Sequence, residues 1–316
     1  MQKSAPPLNP ISPRSNRVTL GIVMTIIGGL CFSIQDAGIK WLTAEVAVLQ
    51  IMFLRSLFGM AFLGASTLAT GERISRRIKR PGLLLTRTVI NILSWIFFFF
   101  GLKYLPLATA VALFFSFPLF LAITSVPILG ETVGLRRSLG IIAGFIGVLF
   151  ITNPTAGIEW PMLMMLAAAL GWAIVANFTR ILGETENTST ILFYTLFGLA
   201  VVLAIPQFWI WHPIDGGTVG LIAGAAFFGV IAQFCLTKAY SIASPSLIAP
   251  FEYTALIWSA TLGFLIWGDV PDRYGMIGAA LIVGSGLYVI HRERIVNRTN
   301  QQLKHKNTQN NASSVG

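Results

Sequence analysis

The 316-residue sequence predicts an all-α membrane protein of about ten transmembrane helices, arranged as two inverted five-helix repeats. Three observations carry that prediction. The chain is 55% hydrophobic and only 11% charged, with a mean hydropathy of +0.75. Apolar runs long enough for a bilayer of roughly 30 Å follow one another with short polar breaks. A Gly-acidic motif recurs at corresponding places in the two halves.

Soluble domains carry roughly 25% charged residues, so this composition excludes a soluble two-domain protein. Runs such as Ile92-Leu93-Ser94-Trp95-Ile96-Phe97-Phe98-Phe99-Phe100 lack the alternation of an outer-membrane barrel strand. In chain order the spans are expected near 18–39, 46–69, 83–102, 106–128, 135–152, 161–181, 190–211, 218–238, 246–267 and 274–291. The breaks carry turn formers: the basic stretch 71–82, Asn153-Pro154, Trp160-Pro161, Gly183 to Asn187, and His212-Pro213 with Gly216-Gly217. The first run, Val18 to Ile39, is long and ends without a small-residue cleavage pattern, so it reads as a span and not a signal peptide.

Residues 1–17 are expected to be a cytoplasmic segment, 18–152 the first repeat, 161–291 the second, and 292–316 a disordered cytoplasmic tail. The net charge of +10 reports orientation and not a nucleic-acid partner. With both termini cytoplasmic, only Lys40, Lys103 and Arg273 face outward. Arg55 and Arg87 sit within spans, and every other Lys and Arg lies inside, as the positive-inside rule requires of an inner-membrane protein.

The repeat gives the spans a mechanism. Gly130-Glu131 follows the fourth span and Gly268-Asp269 the ninth, each followed at the same step by a helix glycine, Gly140 and Gly278. Tyr104-Leu105-Pro106-Leu107-Ala108 is echoed by Tyr240-Ser241-Ile242-Ala243. An odd number of spans per copy inverts the second copy, placing Glu131 inside and Asp269 outside. Inverted repeats around a midplane site are a plan of secondary transporters, one repeat rocking against the other.

These residues resemble the drug/metabolite transporter superfamily, in particular its paired EamA-type repeats. The match runs from about Val18 to Ile290. Its most specific part is Lys238-Ala239-Tyr240, Ala249-Pro250-Phe251-Glu252-Tyr253-Thr254, Leu256, Trp258 and Gly268-Asp269-Val270-Pro271-Asp272. In the first repeat Ser116-Phe117-Pro118 stands where many members have Glu-Pro, which removes one carboxylate of a symmetric acidic pair. The resemblance implies ten spans, no cofactor, and a cavity formed by the third, fourth, eighth and ninth spans with help from the first and sixth. It also implies a small-molecule substrate. Carriers for riboflavin, S-adenosylmethionine, amino acids and opine-type metallophores belong to the superfamily. Ser33-Ile34-Gln35-Asp36 with Lys40, and the Phe-Glu-Tyr-Thr stretch, look most like the riboflavin and S-adenosylmethionine group, and riboflavin uptake is the expected activity.

Ionisable and polar groups within spans are the site candidates, because each is costly in hydrocarbon unless it faces a partner or water. Arg55, near the midplane, either pairs with Asp36 or faces the cavity. Glu252 is a candidate for taking up a proton or contacting substrate, or else is a fixed packing acid. Asp36 and Lys40 are spaced as an i,i+4 pair. Arg87 lies within about a turn of the cytoplasmic boundary and is expected to snorkel outward. Asn91, Asn177 and Gln233 either line the cavity or bond across helices. Trp95, Trp172 and Tyr253 are candidates to stack on a flat ring. Gly140-xxx-Gly144 and Gly220-xxx-Gly224 allow close helix approach within the protomer or in a homodimer.

The sequence holds no phosphate-binding Gly-rich loop with Lys-Ser/Thr, and its three histidines, His212, His291 at the edge of the last span and His305, sit in loops or the tail without metal-ligand spacing. A membrane enzyme would need polar residues clustered at one interface, and a channel a continuous polar stripe. Neither pattern is present, so no enzyme activity is expected.

Overall fold

The computed structural model describes residues 13–71, 73–130, 135–152, 159–242, 251–288 and 291. Its helices are α1 (Pro13–Leu42), α2 (Val48–Thr70), α3 (Pro81–Tyr104), α4 (Leu107–Phe114), α5 (Phe117–Leu129), α6 (Leu135–Thr152), α7 (Trp160–Leu182), α8 (Thr188–Ile210), α9 (Gly216–Ile242), α10 (Thr254–Trp267) and α11 (273–288). Seven are long and apolar enough to cross a membrane, with Leu107–Ile128 counted as one span, and the shorter apolar helices include Leu139–Ile151 and Thr254–Trp267. With 273–288 they complete the ten-helix repeat fold. The tail over 292–316, Glu131 and Pro250 fall outside the described residues.

Local chemistry explains the boundaries. Proline occupies the first turn of α3 and of α7, where its missing donor costs nothing. Asn187 caps α8 by accepting from Thr190 N at 2.9 Å. Gly130 ends α5 at φ 68° and Gly268 ends α10 at φ 71°, the left-handed conformation that a side chain resists. These are the two glycines of the repeated Gly-acidic motif, so the motif marks the same helix end in both halves.

The turns repeat as well. Between α1 and α2, Glu45 N and Val46 N donate to Leu42 O; between α7 and α8, Thr185 N and Glu186 N donate to Leu182 O. Packing obeys the same symmetry. Helix α1 packs along α9, and its counterpart α7 packs along α3; α2 meets α8; α4 meets α10. Each helix lies on the mate of its counterpart, so the repeats interlock around a pseudo-two-fold axis and do not stand side by side as separate domains.

Small residues make this interlock possible, since in lipid close packing and not water exclusion drives helix association. A Cβ on Gly147 would meet Gly278 O at 2.8 Å, and one on Gly278 would meet Gly147 O at 2.6 Å, which brings α6 and α11 to backbone contact. Gly144 is likewise occupied within the chain, against Leu119 and Ser285, whereas Gly220 and Gly224 face open space.

The fourth span lies where the sequence places it, at Leu107–Ile128, and is interrupted within. It is broken at Phe115-Ser116, with Pro118 in the first turn of α5. In the ninth span Tyr253 forms a turn between 251–252 and α10. The rings of Phe115 and Tyr253 meet at 5.1 Å. Both halves thus interrupt the same span at the same point and join there, which is the geometry of paired discontinuous helices near a transport site.

Candidate functional site

Two cavities lie in the bundle, divided by Phe32, Trp95 and Trp172, which line both. The larger, about 400 Å³, is walled by α1, α2, α3, α7, α8 and α9. It runs from Trp95 and Trp172 at mid-bundle to Thr70, Thr188 and Lys238 near the helix ends beside loop 73–80. That basic loop is pinned at the mouth: Ser75 N donates to Thr190 Oγ1 at 2.9 Å and Lys79 N to the buried Glu186 carboxylate at 2.7 Å.

The smaller cavity, about 110 Å³, carries Ser33, Asp36, Glu252 and Ser259 among the rings of Phe98, Phe114, Phe115 and Phe117. It is the part that the third, fourth, eighth and ninth spans share with the first and sixth. The larger cavity draws also on the second and seventh, α2 and α8, which sequence reasoning left out.

Arg55 anchors the meeting point. Its Nε and Nη2 donate to Gln35 Oε1 at 3.2 and 2.7 Å, and Gln35 Nε2 donates to Asp36 Oδ1 at 3.1 Å. Arg55 therefore reaches Asp36 through the Gln35 amide and not by a direct pair. Its guanidinium lies 4.8 Å from the Trp95 ring centroid and 5.4 Å from that of Phe99, cation–π geometry worth about 0.5–2 kcal/mol. Trp95 stacks on Phe99 at 5.2 Å and meets Trp172 edge-on at 5.9 Å. Gly229 of α9 gives this cluster its room: a Cβ there would lie on Gln35 Oε1 and 3.3 Å from Arg55 Nη2.

Other candidates separate into two groups. Asn91 and Gln233 line the larger cavity with Arg55, Trp95 and Trp172. Asn177 instead bonds across helices, its Nδ2 donating to Thr124 Oγ1 at 3.0 Å, and lines neither cavity. Tyr253, expected to stack on substrate, is buried against Phe115 with its hydroxyl over Gly286, also away from both cavities. Glu252 faces the smaller cavity without a hydrogen bond or ion pair to any described residue.

Two electrostatic expectations are overturned. Lys40 does not pair with Asp36. Its Nζ donates to Leu105 O and lies over the Trp267 ring, and Trp41 meets Trp267 at 6.4 Å. This ties α1, the α3–α4 link and α10 together at the end of the bundle opposite loop 73–80. A carbonyl with no helical partner at the end of α3 attracts the ammonium more directly than a carboxylate already bonded to Gln35. Arg87 does not snorkel. It is 6% exposed, with Nε on Thr179 Oγ1 at 2.8 Å and Nη1 on Thr195 Oγ1 at 2.6 Å, and it lines the larger cavity. Proximity to a boundary suggests snorkelling only while the neighbouring helices are unknown; two inward hydroxyls supply the alternative.

Interlocked inverted repeats, paired broken spans and a central cavity reaching one face define a multi-pass membrane transporter. The model of the EamA-like transporter family matches residues 19–153 and again 159–290. The chain belongs to that family, within the drug/metabolite transporters, and carries its domain twice. It is 29% identical over 291 residues to a riboflavin transporter of Rhizobium johnstonii, covering 88% of this chain and 93% of the relative. It is 27% identical to an S-adenosylmethionine uptake transporter of Rickettsia bellii (87% and 95% covered) and 27% identical to a pseudopaline exporter of Pseudomonas aeruginosa (83% and 93% covered). The protein is a membrane transporter of a small metabolite.

Proposed function

We propose that this protein takes up a flat, ring-bearing polar metabolite by alternating access, with riboflavin the leading substrate. The single observation that carries this reading is the ring platform on the cavity wall: the Trp95 indole with the Arg55 guanidinium 4.8 Å above it and the edge of Trp172 beside it. A planar heterocycle with carbonyl groups would stack on the indoles, accept from the guanidinium, and hydrogen-bond through a polar side chain to Asn91 and Gln233. Two arginines on the same wall, Arg87 buried and Arg55 partly buried, disfavour a sulfonium cation such as S-adenosylmethionine.

In this reading the basic face is cytoplasmic and the membrane is the cell inner membrane. The cavity stands open to the cytoplasm, while Lys40, Leu105 and Trp267 close the outer end. Glu252, in the smaller cavity behind the platform, couples movement to a proton. The test is uptake of labelled riboflavin in a riboflavin-requiring strain that lacks its own importer, run beside S-adenosylmethionine, amino acids and an opine-type metallophore. Growth and uptake that vanish in Trp95→Leu are expected. Well-expressed protein that moves another panel member and not riboflavin would overturn the named substrate.

A further inference from the structure

From Arg87 to Trp95 every fourth residue of α3 lines the larger cavity, and the chemistries along that face are ordered: Arg87, Asn91, Trp95. At one-turn spacing they form a ladder of cation, amide and aromatic ring, with Arg87 about 12 Å along the axis from Trp95. The platform at the Trp95 end has its own arginine, whose charge is answered by Asp36 through Gln35. The Arg87 end has no such answer.

Among the described residues, the hydrogen-bond partners of Arg87 are the neutral hydroxyls of Thr179 and Thr195, and no described aspartate or glutamate lines the cavity that holds Arg55 and Arg87. The only ion pair between described side chains, Arg80 with Glu184 at 3.5 Å, is on the exposed loops. A guanidinium held at 6% exposure without a counter-charge is an expensive arrangement. Two hydroxyls orient it without neutralising it. Thr179 and Thr195 are in turn fixed, their Oγ1 atoms donating to Val175 O at 2.6 Å and Ile191 O at 2.8 Å, so both present lone pairs to Arg87 and hold its fork in place. Among the described residues nothing bonds Nη2, which is free to meet a ligand in the cavity.

We infer that Arg87 is an anion-binding subsite, so that the cavity favours ring metabolites whose side chain ends in a carboxylate or phosphate roughly 12 Å from the ring. This rests on the ring-platform reading of Trp95 and Trp172 and adds the charge of the substrate to it. The larger cavity then has three zones: ring on the indoles, polar linker along Asn91 and Gln233, anionic terminus at Arg87 beside the basic mouth. Release toward that mouth passes the anion from Arg87 to Lys238 and solvent.

The test compares riboflavin with riboflavin 5′-phosphate, which differ only by a dianionic terminus on the ribityl chain. Binding to purified full-length protein is followed by flavin and tryptophan fluorescence. The phosphate ester is expected to bind roughly 10- to 100-fold more tightly than riboflavin, the range of a charge-assisted hydrogen bond. Arg87→Gln should remove that preference, bringing the affinities of the two flavins within about twofold of each other. Arg87→Lys, which keeps charge but loses the fork, should retain most of it. Inorganic phosphate should compete with the ester and not with riboflavin, a measurement on unaltered protein that needs no variant to fold.

Equal affinities for the two flavins in the unaltered protein, or a preference that survives Arg87→Gln, would overturn the subsite. If neither flavin binds, the same comparison is made with indole and 8-(indol-3-yl)octanoate, whose extended chain is long enough to carry the carboxylate from the indole platform to Arg87. A preference for the carboxylate that depends on Arg87 upholds the subsite and removes only the flavin; no such preference removes the subsite.

Discussion

The substitution Gly229→Ala probes the central cluster through a single methyl group. A Cβ at this position of α9 would occupy the place of Gln35 Oε1 and approach Arg55 Nη2 to 3.3 Å. The obstructing oxygen is the tip of a flexible side chain, so the helices need not separate, and the variant should fold with a stability loss of about 1 kcal/mol, the low end for overpacking. The functional cost is larger. Gln35 Oε1 accepts from both Nε and Nη2 of Arg55, and moving it breaks both charge-assisted bonds and frees the guanidinium from its seat over Trp95. Charge-assisted bonds contribute about 1.5–3 kcal/mol, so substrate affinity should fall roughly 10- to 100-fold.

Binding of labelled riboflavin to the purified protein, with thermal unfolding in detergent alongside, separates the two effects. A double-mutant cycle with Gln35→Ala supplies the decisive comparison. Once the Gln35 side chain is gone the methyl group meets only the flexible tip of Arg55, at 3.3 Å, and Gly229→Ala should add little further loss. A loss of equal size in the Gln35→Ala background would locate the effect in α9 itself and refute the reasoning, as would unchanged affinity in the single variant.

Three further outcomes follow from the same geometry. Lys40→Met removes the ammonium from Leu105 O and Trp267 and should shift the equilibrium toward opening at that end by about 1–2 kcal/mol. With Cys31 and Cys235 replaced by serine, a cysteine at Val111 in the smaller cavity should then react several-fold faster with an impermeant thiol reagent, and an unchanged rate counts against the latch. Glu252→Gln should abolish proton-driven accumulation while preserving exchange of labelled for unlabelled substrate; full accumulation at every pH would remove the coupling role. Outside the spans, the Thr218 N–H and hydroxyl bond the Asp215 carboxylate at the start of α9 and hold it below the usual carboxylate range. The folded group is the stronger acid, so its contribution is present above the ordinary carboxylate pKa and lost as pH falls through the lower folded value. Asp215→Ala should make the protein less stable at neutral pH and its stability less dependent on pH in the acid range, which unfolding curves between pH 3 and 7 would show.

The two broken spans meet at the Phe115–Tyr253 contact, and Phe115 lines the smaller cavity together with Trp95 and Trp172 of the ring platform. A bundle of straight helices would have to tilt as a whole to open either end. In the alternating-access reading proposed here, the interruptions at Ser116 and Tyr253 are the hinges, related by the inverted symmetry of the repeats.

Sequence alone determined the membrane class, the positions of the spans and the doubled repeat, because these depend on hydropathy along the chain and on local motifs. Gly130 and Gly268 were legible as a repeat before either was seen to end a helix at positive φ. The polar residues within spans were equally visible as candidates, since any ionisable group in hydrocarbon stands out against its neighbours. The interruption of the fourth span was hidden, because Leu107 to Leu129 holds no ionisable residue and hydropathy does not register a break in hydrogen bonding; Ser116 and Pro118 were the local signs. What only the tertiary structure decided was partnership. Asp36 and Lys40 have i,i+4 spacing yet bond elsewhere, and Arg87 turns inward because Thr179 and Thr195 come from α7 and α8. Periodicity reports which side of its own helix a residue occupies. Which helix lies opposite, and how closely, depends on contacts such as Gly229 against Gln35, between residues far apart in the chain whose meeting exists only after the two repeats interlock.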